Sequence, residues 1–227
     1  MSKIEFDKPG NFLYPLPAVM VSCTDKNGKN NIITIAWTGT VCSDPAMVYI
    51  SVRPERYSHD IIKDTGEFVI NLVNKELVKS MDFCGVKSGR DVDKFKECRL
   101  TAVPSETVEA PSIAQSPVCI ECKVTKMLRL GSHDMFLAKV TAVTVDEKYM
   151  DETGRFHLNE SGLVAYSHGD YFSLGAKQGK FGYSVRKHKA AGKSAAKSSE
   201  KPAGKSAAKP GSKTTGKQGR KPAGSTK

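Results

Sequence analysis

The chain has 227 residues, a formal net charge of +11 and 39% hydrophobic residues, enough for one domain with a substantial core plus an appendage. The charge is uneven: from Ala190 to Lys227 ten Lys/Arg stand against one acid, Glu200, while the rest of the chain carries a net of +2, which excludes a uniformly basic domain. No apolar run approaches the roughly 18 residues of a membrane span, Met1–Lys8 lacks the apolar stretch of a secretory signal, and the six Cys read as reduced thiols of a cytoplasmic chain.

Met1–Phe12 reads as an irregular or edge segment. Tyr14-Pro15-Leu16-Pro17 introduces a strand over Ala18–Thr24, with prolines where no ladder donor is needed. Asp25-Lys26-Asn27-Gly28 is a hairpin turn centred on Asn-Gly. Next, Ile32, Thr34 and Ala36 alternate with Ile33, Ile35 and Trp37, the period of one strand built from β-formers. Ser43-Asp44-Pro45 breaks it, and Ala46–Val52 is a second apolar run. Ser58 is the expected N-cap of a short helix over His59–Lys63, and Thr65-Gly66 closes that helix with glycine at the left-handed position.

Glu67–Val73 is a third apolar strand. Lys75–Phe83 has helical character, with Leu77, Val78 and Met81 on one side, and Cys84–Val92 reads as a loop. Asp93-Lys94-Phe95 is a helical turn, and Thr101–Ser116, with two Pro, is an irregular excursion. Val118–Leu128 and Met135–Val145 are two long strands joined through Arg129–Asp134. Val118, Ile120, Cys122 and Val124 take one face of the first, and Glu121, Lys123 and Thr125 the other. Asp151–Gly162 is a polar loop, Leu163–Tyr166 a short strand, and His168–Gly182 a closing segment rich in Gly and aromatics.

Many short strands and few helices argue for a mainly β barrel. Gly175, Gly179 and Gly182 lack the spacing and the following helix of a dinucleotide fingerprint, so a doubly wound sheet is disfavoured. Cys119 and Cys122 have the spacing of a redox or zinc pair. Inside a strand they point to opposite faces, and no second Cys or His pair stands at zinc spacing, so no metal site is expected. Arg53, Arg56, Tyr57 and Ser58 precede or open a helix. The positive end of a helix dipole, a hydroxyl and two guanidiniums together suit a phosphate.

From Lys189 to Lys221 lysine recurs every fourth residue among small residues. Three prolines, six glycines and no apolar group to bury make residues 190–227 an expected disordered basic tail, separate from a folded domain over 1–189. Such a tail would meet nucleic acid or acidic surfaces without sequence preference and with strong salt dependence. With no aromatic residue it offers no base stacking.

Several stretches in order, YPLPAVMVSCTDKNGKNNIITIAW, SDPAMVYISV, GEFVINLV, DVDKF, GSHDMFLAKV and GDYFSLG, resemble the flavin reductase-like, FMN-binding split-barrel family and its flavoredoxin-like branch, over about Phe12–Ser184. The resemblance implies an FMN-binding split β-barrel with a few short helices, assembled as a homodimer, and FMN in preference to FAD. It implies electron transfer as a flavin reductase-like oxidoreductase fed by NAD(P)H, or as a flavoredoxin-type carrier fed by a redox protein. By the same resemblance Asn31, Trp37, Thr38 and Thr40 run along the flavin ring, and Cys42 and Ser43 lie beside it. Arg53, Arg56 and Ser58 hold the phosphate. Lys94 and His133 come near the flavin and are the candidate catalytic groups, and Tyr166, Tyr171 or Phe172 closes the ring slot. Each has a plain alternative: Trp37 and the tyrosines as core packing, Cys42 as a small buried residue, Lys94 as a surface lysine, His133 as a loop residue. Two rival readings are a protein that binds through its basic tail, with the barrel as scaffold, and a split barrel with another ligand such as haem, for which His133, His157 and His168 are the axial candidates.

Overall fold

The computed structural model describes residues 1–186, in two units divided between Lys177 and Gln178. The expected domain boundary at 189/190 and the basic tail lie outside the described residues. In the second unit the described part holds a single 3₁₀ turn, Tyr183–Val185.

The first unit is mainly β. In chain order come β1 (Leu16–Pro17), β2 (Val19–Thr24), β3 (Asn30–Ile35), β4 (Thr38–Ser43), β5 (Ala46–Val52), α1 (Tyr57–Thr65) and β6 (Glu67–Leu72). After a 3₁₀ turn over Lys75–Leu77 follow α2 (Val78–Val86), α3 (Lys94–Glu97), β7 (Ala102–Val103), β8 (Ser112–Ile113), β9 (Val118–Arg129), β10 (Asp134–Val145), β11 (Val164–Ser167) and β12 (Asp170–Ser173). One sheet has the order β3-β2-β6-β9-β10-β5-β4, a second β1-β11-β12, and β7 pairs with β8.

The large sheet has to curl. Its edge strands β3 and β4 are joined by Ala36 and Trp37 alone. That step reaches at most about 11 Å, whereas seven flat strands would set the edges about 29 Å apart. The two edges are therefore brought side by side along a seam, and the Ser51 N–H donates to the Trp37 carbonyl at 2.8 Å, which carries the β4–β5 ladder up to the bend. The single strand expected through Trp37 is thus two strands. Alternation cannot reveal the break, because both faces of the run are apolar and the period survives the bend.

Val19, Val21, Ile33, Ile35, Ile50, Phe68 and Phe136 fill the barrel, and Ile61 and Ile62 of α1 join the same core. Met20 and Ile32, on the other faces of β2 and β3, pack in a second core with Leu77, Met81 and Phe95. Burial on both faces explains why this part of the sequence is almost continuously apolar.

The hairpin at Gly28 (φ 80°) and the helix stop at Gly66 (φ 71°) form where expected. Three expectations change. The helix begins at Tyr57 with Arg56 in the cap position, so Ser58 is not its cap; Ser58 lies in the first turn, 1% exposed, and accepts a hydrogen bond from Asn31 Nδ2 at 2.7 Å. Residues Cys84–Val86, read as loop, complete α2. Glu121, placed on a polar face, is fully buried under the 104–110 excursion and accepts from the Glu106 N–H at 2.9 Å, the Thr107 N–H at 2.7 Å and the Thr107 hydroxyl at 2.6 Å. Cys119 and Cys122 do face opposite ways, Cys122 into the barrel and Cys119 against Val69 and Val108.

Candidate functional site

A cleft opens along β3 where the seam and the two sheets meet. Its wider part, about 260 Å³, is lined by Ile33 to Trp37, Ser51 to Arg53, Arg56, Gly85, His133, Tyr166 and Tyr171. A narrower part, about 130 Å³, shares Ile33, Arg56 and Gly85 with it and continues past Asn31, Ser58, Lys87, Ser88, Gly89, Arg90 and Lys94. Together they have the size and mixed lining of a small-molecule site.

The wide part is aromatic on one side. The Trp37 and His133 rings lie within 2° of parallel with centroids 6.1 Å apart, and Tyr166 approaches Trp37 at 6.4 Å and Tyr171 at 6.0 Å. Tyr166 arrives from the small sheet, paired with Leu16 on one side and Tyr171 on the other. Ser132 Oγ sits 2.9 Å from His133 Nδ1, and burial, with the guanidiniums of Arg53 and Arg56, holds the His133 pKa below its usual value. A neutral imidazole there can present either a donor or an acceptor to the slot.

The narrow part is cationic. Arg56, Lys87, Arg90 and Lys94 line it against one carboxylate, Glu55. Lys94 is 4% exposed, and Nζ donates to the carbonyls of Ile32 and Cys84, each at 2.7 Å. Burial lowers its pKa, and an ammonium has three donors, so one remains for the cleft. Tyr57 and Ser58, whose first-turn amides precede the first helical hydrogen bond, border the same space.

The 87–93 loop forms the outer wall. Arg90 Nη1 donates to the Glu55 carbonyl at 3.2 Å, and the Arg90 guanidinium and Lys29 ammonium each lie 5.3 Å from the Tyr57 ring centroid. A Cβ on Gly89 would fall 2.1 Å from Asn31 Oδ1 and 2.8 Å from Tyr57 Cδ1. Only glycine lets this backbone close against α1 and β3.

Of the residues named from sequence, the cleft gathers Asn31, Trp37, Arg53, Arg56, Ser58, Lys94, His133 and Tyr166, with Tyr171 beside them. It does not gather Thr38, Thr40, Cys42, Ser43 or Phe172. Thr38 is buried with its hydroxyl on the Tyr49 carbonyl at 2.6 Å, Thr40 is exposed, and Cys42 Sγ contacts the Asp44 carbonyl at 3.4 Å. Sequence reasoning missed Lys87, Gly89 and Arg90. Their signal was present, a glycine among basic residues just before DVDKF, but the stretch read as an unremarkable loop. It also missed His59, whose Nε2 lies 2.9 Å from Asp134 Oδ2, both side chains buried. That pair ties α1 to the start of β10, next to His133.

Residues 12–175 match the family of flavin reductase like domains. The chain belongs to the flavin reductase-like family. Among solved structures it is similar to flavoredoxin of Desulfovibrio vulgaris (Miyazaki F), with a TM-score of 0.75 and 28% identity over 81% of this chain and all of that one. The flavoredoxin from Methanosarcina acetivorans gives 0.71 and 25% over 81% and 100%. A protein of Archaeoglobus fulgidus is 29% identical over 167 residues, 74% of this chain and 92% of its own. These likenesses establish the split barrel expected from the sequence. Among the described residues no helix is long and apolar enough to cross a membrane, and no three His, Cys, Asp or Glu side chains form a metal-holding group.

Proposed function

We propose that the protein binds FMN non-covalently in this cleft and passes electrons through it, as a flavin reductase-like oxidoreductase or a flavoredoxin-type carrier. One observation carries the reading: an aromatic-walled slot adjoins, through the shared residues Ile33, Arg56 and Gly85, a cationic pocket closed by a glycine loop. A planar ring joined by a short chain to a phosphate has the same sequence of chemistries. The donor set fits, with Lys94, Arg56 and Arg90 and the amides of α1 for the phosphate, and the wall of Trp37, His133 and Tyr166 for the ring.

When bound, FMN supplies the hydride or single-electron chemistry. The chain's residues bind, orient and exclude water. Lys94 and Arg56 would neutralise the phosphate. The Asn31 amide, whose Nδ2 donates to Ser58 Oγ, lines the narrow part and would be available to the linking hydroxyls. His133 is placed to give or take a hydrogen bond at the ring's edge through Nε2, its Nδ1 being engaged by Ser132. The slot is open on one side, so a nicotinamide or the surface of a redox partner can be brought against the ring, where catalysis is a matter of orientation. A homodimer is part of the proposal. It draws support from the apolar residues Val41, Val143 and Val145, exposed on β4 and on the far end of β10.

The test is an absorption spectrum of the purified protein, repeated without oxygen after NADH or NADPH. A flavin spectrum that bleaches with the nucleotide supports the reductase. Bleaching only with a reduced protein or chemical donor supports the carrier. No flavin, and none taken up from added FMN, refutes the proposal.

A further inference from the structure

Two thiols stand behind the cationic pocket, and neither is among the groups proposed above to hold FMN. Cys84, on α2 and 1% exposed, and Cys98, directly after α3, have their sulfurs 3.9 Å apart. Cys84 reaches the narrow part of the cleft, and its carbonyl takes one of the two Lys94 hydrogen bonds. Cys98 is half-buried and lines a separate, open depression with Ser80, Arg99 and Asn74. The fifteen residues from Cys84 to Cys98 contain the whole outer wall, Lys87 to Asp93, together with Lys94.

We propose that Cys84 and Cys98 are a reversible dithiol latch, whose oxidation to a disulfide closes residues 84–98 into a ring and holds the glycine-containing wall against α1. The flavin reading bears only on what that wall retains. The oxidant is a diffusible low-molecular-weight disulfide reaching Cys98 from the open depression. Cys98 releases its proton to solvent and its sulfur attacks one sulfur of the reagent, forming a mixed disulfide and expelling one thiolate. Cys84, on losing its proton, attacks the Cys98 sulfur and expels the second thiolate. Two protein thiols have then given up two electrons and two protons, and one reagent disulfide has become two thiols. The sulfurs need to close from 3.9 Å to about 2.05 Å.

Reduced, the wall is held by the Arg90–Glu55 hydrogen bond and the cations on Tyr57, contacts open to solvent. Cross-linked, it loses much of its freedom to open, because both of its ends are covalently joined. The latch therefore slows exchange of whatever anion the wall covers. Burial pushes the Cys84 thiol up to about 12 and also raises Cys98, so the exchange is slow near neutrality and faster in mild alkali.

The experiment uses the full chain, incubated at about pH 8.5 with oxidised glutathione or with dithiothreitol. Thiols counted in denaturant should fall from six to four, and a non-reducing peptide map should join Cys84 to Cys98. Trypsin cleavage after Lys87 and Arg90 should slow at least tenfold in the oxidised protein, as should release of bound FMN. Cys98→Ser should show none of these changes while keeping the same Tm. Six thiols remaining, glutathione retained on Cys98, a bridge between other cysteines, or unchanged cleavage after Lys87 and Arg90 each overturn the latch. Failure of both forms to bind FMN would overturn the flavin reading instead, with the latch judged by the thiol count and the trypsin rate.

Discussion

Replacing Lys94 by Met puts the cationic pocket under direct test. The side chain is 4% exposed, and two of its three donors are held by Ile32 and Cys84 at 2.7 Å, so Nζ is fixed rather than tethered. A single charge-assisted hydrogen bond contributes roughly 1.5–3 kcal/mol, about 10- to 150-fold in Kd. FMN affinity should fall by that factor. Riboflavin affinity should hardly change, since riboflavin has no phosphate. Methionine leaves two carbonyls short of a donor at about 1–3 kcal/mol each, offset by no longer burying an ammonium, and a thermal melt checks that the variant is folded. The pH dependence has a definite sign. Burial lowers the Lys94 pKa from 10.5, so the ammonium is lost at a lower pH than an ordinary lysine would lose it. FMN binding by the parent should weaken as pH rises toward 10.5, beyond any change seen with riboflavin, and the variant should lack that dependence. Fluorescence titration at several pH values reads both effects. A folded Met variant that binds FMN within twofold of the parent, or pH profiles that superimpose, would refute the assignment.

Gly89→Ala should cost at least tenfold in FMN affinity with a nearly unchanged fold, because the new methyl lands 2.1 Å from Asn31 Oδ1 and must displace it or the wall; equal affinity by titration would count against the tight wall. Arg56→Ala, an exposed residue, should weaken FMN binding about 3- to 30-fold by the loss of one charged contact while leaving Tm within about 2 °C of the parent. Glu121→Gln should destabilise by about 1–3 kcal/mol, since its amide group would face backbone donors. Burial raises the Glu121 pKa, but bonds from Thr107 and Glu106 outweigh it and the net shift is downward. The carboxylate thus contributes stability above its unfolded pKa that is lost as pH falls through the lower folded value, and urea melts should show a shallower acid slope in the variant. Removal of residues 190–227 should leave FMN affinity unchanged by fluorescence titration; loss of binding would tie the tail to the site.

Most elements could be read from the chain because their causes are local. Asn27-Gly28 and Gly66 are where positive φ is needed, and Asp93 caps α3 by accepting from the Lys96 N–H at 3.2 Å. The helix entrance was misread because Ser58 looks like a cap, yet a longer-range partner, Asn31, claims its hydroxyl. Glu121 was misread for a similar reason: alternation cannot foresee a loop fifteen residues away folding over the polar face and supplying three donors.

The site divides along the same line. Arg53, Arg56 and Ser58 stand together in the chain, so a partly cationic cleft wall beside that helix was legible. Lys94, His133 and Tyr166 were placed by resemblance, and it is the closed barrel that brings them to the same cleft. Thr38 to Ser43 follow Trp37 directly, yet they leave the cleft because the chain crosses the seam there and starts the opposite edge of the sheet. Composition, periodicity and turn residues therefore determined the strands, the short helices and the charge of the last 38 residues, all of which depend on neighbours close in sequence. Which side chains share the cleft, that a buried ammonium lies at its end, and that two thiols meet behind it were decided by the tertiary structure, because each depends on where the curled sheet returns the chain.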